Sequence, residues 1–185
     1  MAKFNFFIPV KSVWLYCFYS LVRVVDHLWR RIIGLPQQRR SMVMPFLYLG
    51  GQYTARGLAS LKKMGVTGII NMRLSPPSMW NYKKDFDYLH LPTIDQHAPS
   101  IEYLKKGVLF IQKHEKAAGK VYVHCRHGEG RGPSMILAYL IHSGMTYLDA
   151  VTLVKKVRPF ILLTRAQVDR LMEFEQLCQS ENKPK

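Results

Sequence analysis

The feature that most constrains the fold is an apolar strand that runs into a glycine-rich turn and then into a helix. The run KVYVHC, residues 120–125, is β-branched and aromatic, which is typical of a central strand of a sheet. RHGEGRG follows it, and a helix is predicted next, with Pro133 near its first turn and Gly144 after its end. Such a turn offers backbone N–H groups and the positive end of a helix dipole, and it therefore predicts an anion site.

Strands and helices alternate along most of the chain. Strands are predicted at 46–51, 66–72, 86–92 and 120–125, and helices at 54–64 and from the capping residue Ser100 to near Gly119. Two capping boxes, Thr146-x-x-Asp149 and Thr164-x-x-Gln167, open two further helices. This alternation predicts an α/β fold in which helices cover a largely parallel sheet.

Composition and charge limit the functional classes. The 185 residues are 48% hydrophobic and 21% charged, which fits one globular domain with a short appendage. Lys and Arg number 27 against 12 Asp and Glu, a formal net charge of +15, which favours nucleic acid, an acidic membrane or a phosphorylated substrate. Nucleic acid is not expected, because basic residues and aromatics do not interleave in a recognition motif.

An uncharged aromatic segment, SVWLYCFYSLV at 12–22, lies near the N-terminus between Lys11 and Arg23. It is shorter than the roughly 20 apolar residues that cross a bilayer, and we expect no ordinary secretory signal. The apolar pattern continues with charged interruptions to Ile33, which predicts a helix lying in the headgroup layer. The alternatives are a helix packed on the protein core, a tilted transmembrane anchor or an organelle-targeting segment. We predict a membrane-associating helix and basic linker at 1–40 and a catalytic domain at 41–185.

Three widely separated cysteines, Cys17, Cys125 and Cys178, form no Cys-x-x-Cys pair. A disulfide framework is therefore not expected, and a reducing compartment is. Cys125 becomes the candidate nucleophile, because the N–H groups of the predicted loop would stabilise its thiolate. A metal site at His124, Cys125 and His127 is the alternative, but no further ligand falls at metal spacing.

The predicted loop carries the residues for phosphoryl transfer. Gly128 and Gly130 let the backbone fold around a phosphate, and Arg131 can hold two phosphate oxygens. Attack by Cys125 on a phosphoester would give a phosphocysteine, which water would then hydrolyse. The leaving alkoxide needs a proton, for which Asp95 is the best candidate.

Other residues near these are less suited to the same roles. Asp85 and Asp87 are weaker candidates for the acid, and Asp95 could instead be a plain turn residue. His97 is expected in loop packing, and Arg158 is expected to brace the fold rather than contact substrate.

HCRHGEGR fits the His-Cys-x5-Arg signature of the protein tyrosine phosphatase superfamily, and the sequence from about residue 46 to 178 resembles its dual-specificity branch. The chain is most similar there to the phosphatidylglycerophosphate phosphatases, a group named after a mitochondrial tyrosine phosphatase. The N-terminal aromatic segment, GVLFIQKH before VYVHC, and RAQVDRLMEFE support this likeness.

The resemblance implies a metal-free phosphatase without a cofactor. Cys125 would be the nucleophile, Arg131 the phosphate ligand and Asp95 the general acid. His124 would tune the thiolate, or be structural only. The remaining substrate-binding positions would be Arg126, His127, Gly128, Glu129, Gly130 and Gly132.

Two loop residues depart from the family pattern. Gly132 stands where the family has Ser or Thr, which predicts slow hydrolysis of the intermediate, since Ser134 is two positions further on. Glu129 should disfavour highly phosphorylated ligands, with Arg126 and His127 partly offsetting it.

The expected substrate is a phosphomonoester on a membrane phospholipid such as phosphatidylglycerophosphate. A phosphoprotein substrate, or a silent phosphate-binding module, is the alternative. We expect a monomer associated with a membrane on its reducing, cytoplasmic side, and a mitochondrial one if the source is a eukaryote.

Overall fold

The computed structural model describes residues 10–75 and 85–181, so the predicted loop at Pro76 and Pro77 lies outside it. In chain order the elements are α1 (Val10–Ile33), β1 (Met42–Met44), β2 (Leu47–Gly50), α2 (Ala55–Lys63), β3 (Val66–Asn71), β4 (Asp87–His90), α3 (Ile101–Lys116), β5 (Lys120–His124), α4 (Arg131–His142), α5 (Tyr147–Val157) and α6 (Arg165–Glu181).

The sheet has five strands in the order β1-β2-β5-β3-β4. β2, β5, β3 and β4 are parallel, and β1 pairs antiparallel with β2 at one edge. The predicted α/β fold with a largely parallel sheet is confirmed. β1 lies outside the predicted strands, because three residues are too short for a periodic pattern.

Helices cover both faces of the sheet. The larger apolar core lies between the sheet and α3 to α6, and α4 is buried along nearly its whole length. The smaller core contains Leu35, just after α1, and Leu61 of α2 against Tyr48, Ile69 and Tyr122 of the sheet. β5 is therefore buried on both faces, which explains its continuous apolar run.

α1 packs on the domain with one side only. Val22 and Asp26 are buried on that side. Large apolar side chains are exposed along the rest of the helix: Trp14, Leu15, Phe18, Tyr19, Leu21, Val24, Val25, Leu28, Trp29, Ile32 and Ile33. None of the helices in the described ranges is long and apolar enough to cross a bilayer.

Candidate active site

Cys125 lies at the carboxyl end of the central strand, in the loop that leads into α4. Gly130 is the N-cap of α4 and supplies no side-chain cap, so the helix begins with N–H groups available to an anion. The thiol is buried, and the Gly128 N–H donates to Cys125 Sγ at 3.2 Å. The loop therefore directs at least one backbone N–H, that of Gly128, at the sulfur.

Gly128 is the point at which the loop requires glycine. Its φ is +75°, and a Cβ there would lie 2.5 Å from the Gly50 carbonyl oxygen. A larger residue would both strain the backbone and push the loop away from the end of β2.

Arg158 braces the same loop from behind, which confirms its expected role. It is fully buried, and it donates from Nε to the Gly128 carbonyl at 2.8 Å and from Nη2 to the His127 carbonyl at 2.9 Å. Asp26 of α1 balances the charge of Arg158, with its Oδ2 3.0 Å from Arg158 Nη2.

The structure places Asp95 beside Arg131, the predicted phosphate ligand. Arg131 donates from Nη1 to the Thr93 carbonyl at 2.9 Å, and its Nη2 lies 2.7 Å from Asp95 Oδ1. The Arg131 side chain is buried, whereas that of Asp95 is 64% exposed. A phosphate entering the loop can therefore take this carboxylate's place on the guanidinium.

Asp85 and Asp87 lie elsewhere. Asp85 pairs with Lys62, and Asp87 lies 2.7 Å from Lys113 Nζ. The hydrogen bond from Lys113 lowers the pKa of Asp87 below its usual range. Neither residue lines the cleft that contains Cys125, so neither is placed to protonate a leaving group there.

The loop that carries Asp95 is fixed by the cap of α6. Thr164 and Gln167 form the predicted reciprocal capping box, with backbone-to-side-chain distances of 3.1 and 3.3 Å. Beyond that, Thr164 Oγ1 donates to the Gln96 carbonyl and Gln167 Nε2 to the His97 carbonyl, both at 3.0 Å. The capping box was visible in the sequence, but this second set of bonds was not.

Glu129 stands on the other side of the site and is held by α1. Arg23 Nη2 lies 2.9 Å from its carboxylate and His27 Nε2 lies 3.0 Å away. Burial alone would raise the pKa of Glu129, but contact with His27 and the charges of Arg23, His27 and His127 outweigh it and lower the pKa below the usual value. Glu129 therefore keeps its negative charge.

His124 is buried under the loop and does not enter the cleft. Its Nδ1 lies 3.2 Å from the Cys125 carbonyl oxygen, and its ring contacts those of Tyr53 and Tyr122. Burial lowers its pKa to about 3, so the imidazole is neutral at ordinary pH. These contacts favour the alternative that His124 is structural over the alternative that it tunes the thiolate.

These groups surround a cleft of about 410 Å³. Its lining includes the predicted residues Asp95, Cys125, His127, Glu129, Gly130 and Arg131. It also includes residues that the sequence did not suggest: Arg23, Gln96, Leu162, Thr164 and Gln167. Arg126, Gly128 and Gly132 do not line it; Arg126 is exposed outside.

Gly132 lies close to Cys125, the predicted nucleophile. A Cβ at this position would sit 3.7 Å from Cys125 Sγ and 3.2 Å from Leu49 Cδ1. Ser134 does not substitute for a hydroxyl there, because it is buried and donates to the Gly130 carbonyl at 3.0 Å. The hydroxyl that Gly132 lacks is therefore not supplied by Ser134.

A buried cysteine that accepts a loop N–H at the start of a helix, with an arginine and a carboxyl beside it, is the arrangement of a cysteine-dependent phosphatase site. The family model "Dual specificity phosphatase, catalytic domain" matches residues 47–177. The chain therefore belongs to the dual-specificity phosphatase family.

Several relatives of known name and structure resemble the chain. Human dual specificity protein phosphatase 1 is 32% identical over 135 residues, which are 72% of this chain and 36% of that protein. Phosphatidylglycerophosphate phosphatase PTPMT2 of Arabidopsis thaliana is 34% identical over 139 residues, 71% of this chain and 60% of that protein. The crystal structure of PTPMT1 in complex with PI(5)P has a TM-score of 0.71 at 26% identity, covering 76% of this chain and 97% of that one. The chain thus spans only part of the length of these two curated relatives.

Proposed function

We propose that the protein hydrolyses a phosphomonoester through a phosphocysteine. The Cys125 thiolate attacks phosphorus and the bond to the ester oxygen breaks, while Asp95 protonates the departing alkoxide. Water then attacks the phosphocysteine, Asp95 takes its proton, and the thiolate leaves. Arg131 and the loop N–H groups supply the positive charge that the transferring phosphoryl group needs, so no step requires a metal.

We further propose that the substrate is a membrane phospholipid such as phosphatidylglycerophosphate. The observation that carries this proposal is the outer face of α1. Exposed apolar residues recur there at spacings of four and three: Trp14, Phe18, Leu21, Val25, Leu28 and Ile32. They form a stripe about 27 Å long at 1.5 Å per residue, and soluble monomers rarely expose so much contiguous apolar surface.

The occupant of this face is a bilayer rather than a second copy of the chain. Further exposed residues, among them Leu15, Val24 and Trp29, widen the stripe beyond the narrow seam of a paired helix. The net charge of +15 favours an anionic surface. Arg23 of the same helix lines the cleft, so a bound bilayer would lie beside the mouth of the site.

Protein phosphatase activity on phosphotyrosine, phosphoserine or phosphothreonine is the second candidate. The likeness to human dual specificity protein phosphatase 1, at 32% identity, favours it. In that case α1 would serve only to localise the enzyme.

A silent phosphate-binding module is the third candidate, and Gly132 and Glu129 favour it. Gly132 removes a hydroxyl from beside the sulfur, and Glu129 places a negative charge in the cleft. The wild-type chain would then bind oxyanions without turnover.

The test compares phosphate release from phosphatidylglycerophosphate in anionic vesicles with release from a soluble phosphotyrosine peptide. The variants are Cys125→Ser and a double change on the outer face of α1, Leu21→Gln with Leu28→Gln. A matched control changes two leucines that are equally exposed on other helices, Leu109→Gln with Leu148→Gln.

Lipid turnover should exceed peptide turnover, disappear in Cys125→Ser and fall at least about tenfold in the α1 double variant. The control double variant should match the wild type on both substrates. A preference for the peptide would move the enzyme to the second candidate. Equal inactivity of wild type and Cys125→Ser on both substrates would establish the third.

A further inference from the structure

Three loop carbonyls, those of Arg126, His127 and Gly128, accept hydrogen bonds from arginines that do not line the cleft. In a trans peptide bond, the C=O of one residue and the N–H of the next residue point in opposite directions. The described part of the chain contains no cis peptide bond. A donor that fixes a loop carbonyl on the outside therefore aims the following N–H at the phosphate. The outer donors are thus part of the machinery that orients the anion site.

One of these outer donors comes from α1. Arg30 Nη1 donates to the Arg126 carbonyl at 2.7 Å and to the Gln52 carbonyl at 3.0 Å. The first bond, together with one from the Gln52 N–H at 3.0 Å, fixes the peptide plane that carries the His127 N–H, and the second ties α1 to the segment after β2. The Arg30 side chain is enclosed enough that burial lowers its pKa.

A second brace reaches the loop through Arg158. Its bonds to the His127 and Gly128 carbonyls fix the planes that carry the N–H groups of Gly128 and Glu129. The Gly128 N–H is the donor already aimed at Cys125 Sγ. Arg158 is buried, and its carboxylate partner is Asp26 of α1, which is equally buried.

We propose that Asp26 and Arg30 are positioning residues for the phosphate loop, so that α1 is a working part of the catalytic unit. The matched family domain begins at residue 47, and α1 ends at Ile33. The helix thus adds to the family's loop a set of outer contacts that the domain does not contain. His27 adds a further contact, since its ring stacks on that of His127 at 5.1 Å.

This inference rests on the loop being the catalytic site of the proposed function, but not on whether the substrate is a lipid or a protein. It therefore needs a soluble substrate. The assay uses p-nitrophenyl phosphate with the full chain, orthovanadate as the bound oxyanion, and thermal unfolding to report folding.

Arg30→Met removes both donors and keeps the apolar stem, while Arg30→Lys retains the charge and one donor group. Arg31→Met is the control, because its side chain is exposed and the charge change and helix are the same. Arg30→Met should lower kcat/KM and weaken vanadate inhibition about tenfold, the value of one charge-assisted bond. For Arg30→Lys, both quantities should lie between those of Arg30→Met and the wild type. Arg31→Met should match the wild type within about twofold.

A merely structural role would lower the melting temperature while leaving the folded fraction with normal vanadate affinity, and that result would overturn the inference. If Arg30→Met does not fold, the decision passes to Arg30→Lys: weaker vanadate inhibition supports the inference, and wild-type inhibition overturns it. An inactive wild type would instead count against the proposed function.

Discussion

The two sides of the catalytic cleft each present a carboxylate close to an arginine, yet the two groups are held differently. Asp95 lies 2.7 Å from Arg131 on an exposed loop, with its side chain 64% exposed. Glu129 is 13% exposed and is gripped by Arg23 and by His27. One carboxylate is exposed and pairs with the proposed phosphate ligand Arg131, and the other is fixed by a helix outside the loop.

This difference separates a chemical role from an electrostatic one. The partner of Asp95 is Arg131, the proposed phosphate ligand, so in the proposed mechanism substrate binding would free that carboxyl to exchange a proton. The partners of Glu129 are not phosphate ligands in this arrangement, and they hold its charge in place. The two acids should therefore respond oppositely to substitution, with Asp95 affecting turnover and Glu129 affecting ligand choice.

The largest expected effect comes from Asp95→Asn. Loss of the general acid should lower kcat on an alkyl phosphate by about 10²–10³. On p-nitrophenyl phosphate, whose leaving group needs no proton, the loss should stay below about tenfold. Steady-state kinetics on both esters measure this, and an equal loss on both would refute the acid role.

A smaller effect should follow from loosening the loop that carries Asp95. Gln167→Met removes the donor to the His97 carbonyl, and kcat on an alkyl phosphate should fall about tenfold, the value of one buried hydrogen bond. Orthovanadate inhibition should not change, because Arg131 and the loop N–H groups remain. Weaker vanadate binding would show that Gln167 acts on the phosphate loop instead.

Substitution of Glu129 should change which phosphorylated ligands the cleft binds best. Glu129→Gln should tighten binding of a bisphosphate relative to the matched monophosphate about threefold to tenfold, since a like charge near the cleft is removed. Inhibition constants for the two ligands measure the ratio. Glu173→Gln on α6 is the control for the lost charge and should leave the ratio unchanged.

The contact of Glu129 with Arg23 and His27 also predicts how the stability of the protein depends on pH. The pKa of Glu129 is lowered in the folded protein, so the tether to Arg23 and His27 is fully present above the ordinary pKa of about 4.3. It is lost as the pH falls through the lower, folded value. The stability that the carboxylate contributes, measured by urea unfolding as the difference between wild type and Glu129→Gln, should therefore be present above that ordinary pKa and shrink as the pH falls in acid.

The smallest expected effect lies between the two sides, at Gly132. Gly132→Ser would place a hydroxyl near Cys125 Sγ and would require a small shift of Leu49. It should raise kcat about threefold, which corresponds to one weak hydrogen bond. Gly132→Ala carries the same Cβ without the hydroxyl and should show no gain. A gain in both variants would assign the effect to packing.

Local patterns revealed the α/β fold, the loop around Cys125 and the cap formed by Thr164 and Gln167. Each of these is written in neighbouring residues, where spacing and propensity act directly. The contacts of α1 with the loop join residues about a hundred positions apart, such as Arg30 and Arg126, and no local pattern records such a pairing. The amphipathic pattern showed that α1 had two faces, but not that the polar one would meet the active site.

The most direct test of the central claim is to trap the covalent intermediate. Wild-type protein would be mixed with radiolabelled substrate, quenched within milliseconds and assayed for label on the chain, with Cys125→Ser in parallel. We expect up to one phosphate per wild-type chain, bound at Cys125, and none on the variant. Turnover without label on the wild type, or turnover that survives in Cys125→Ser, would contradict the phosphocysteine mechanism.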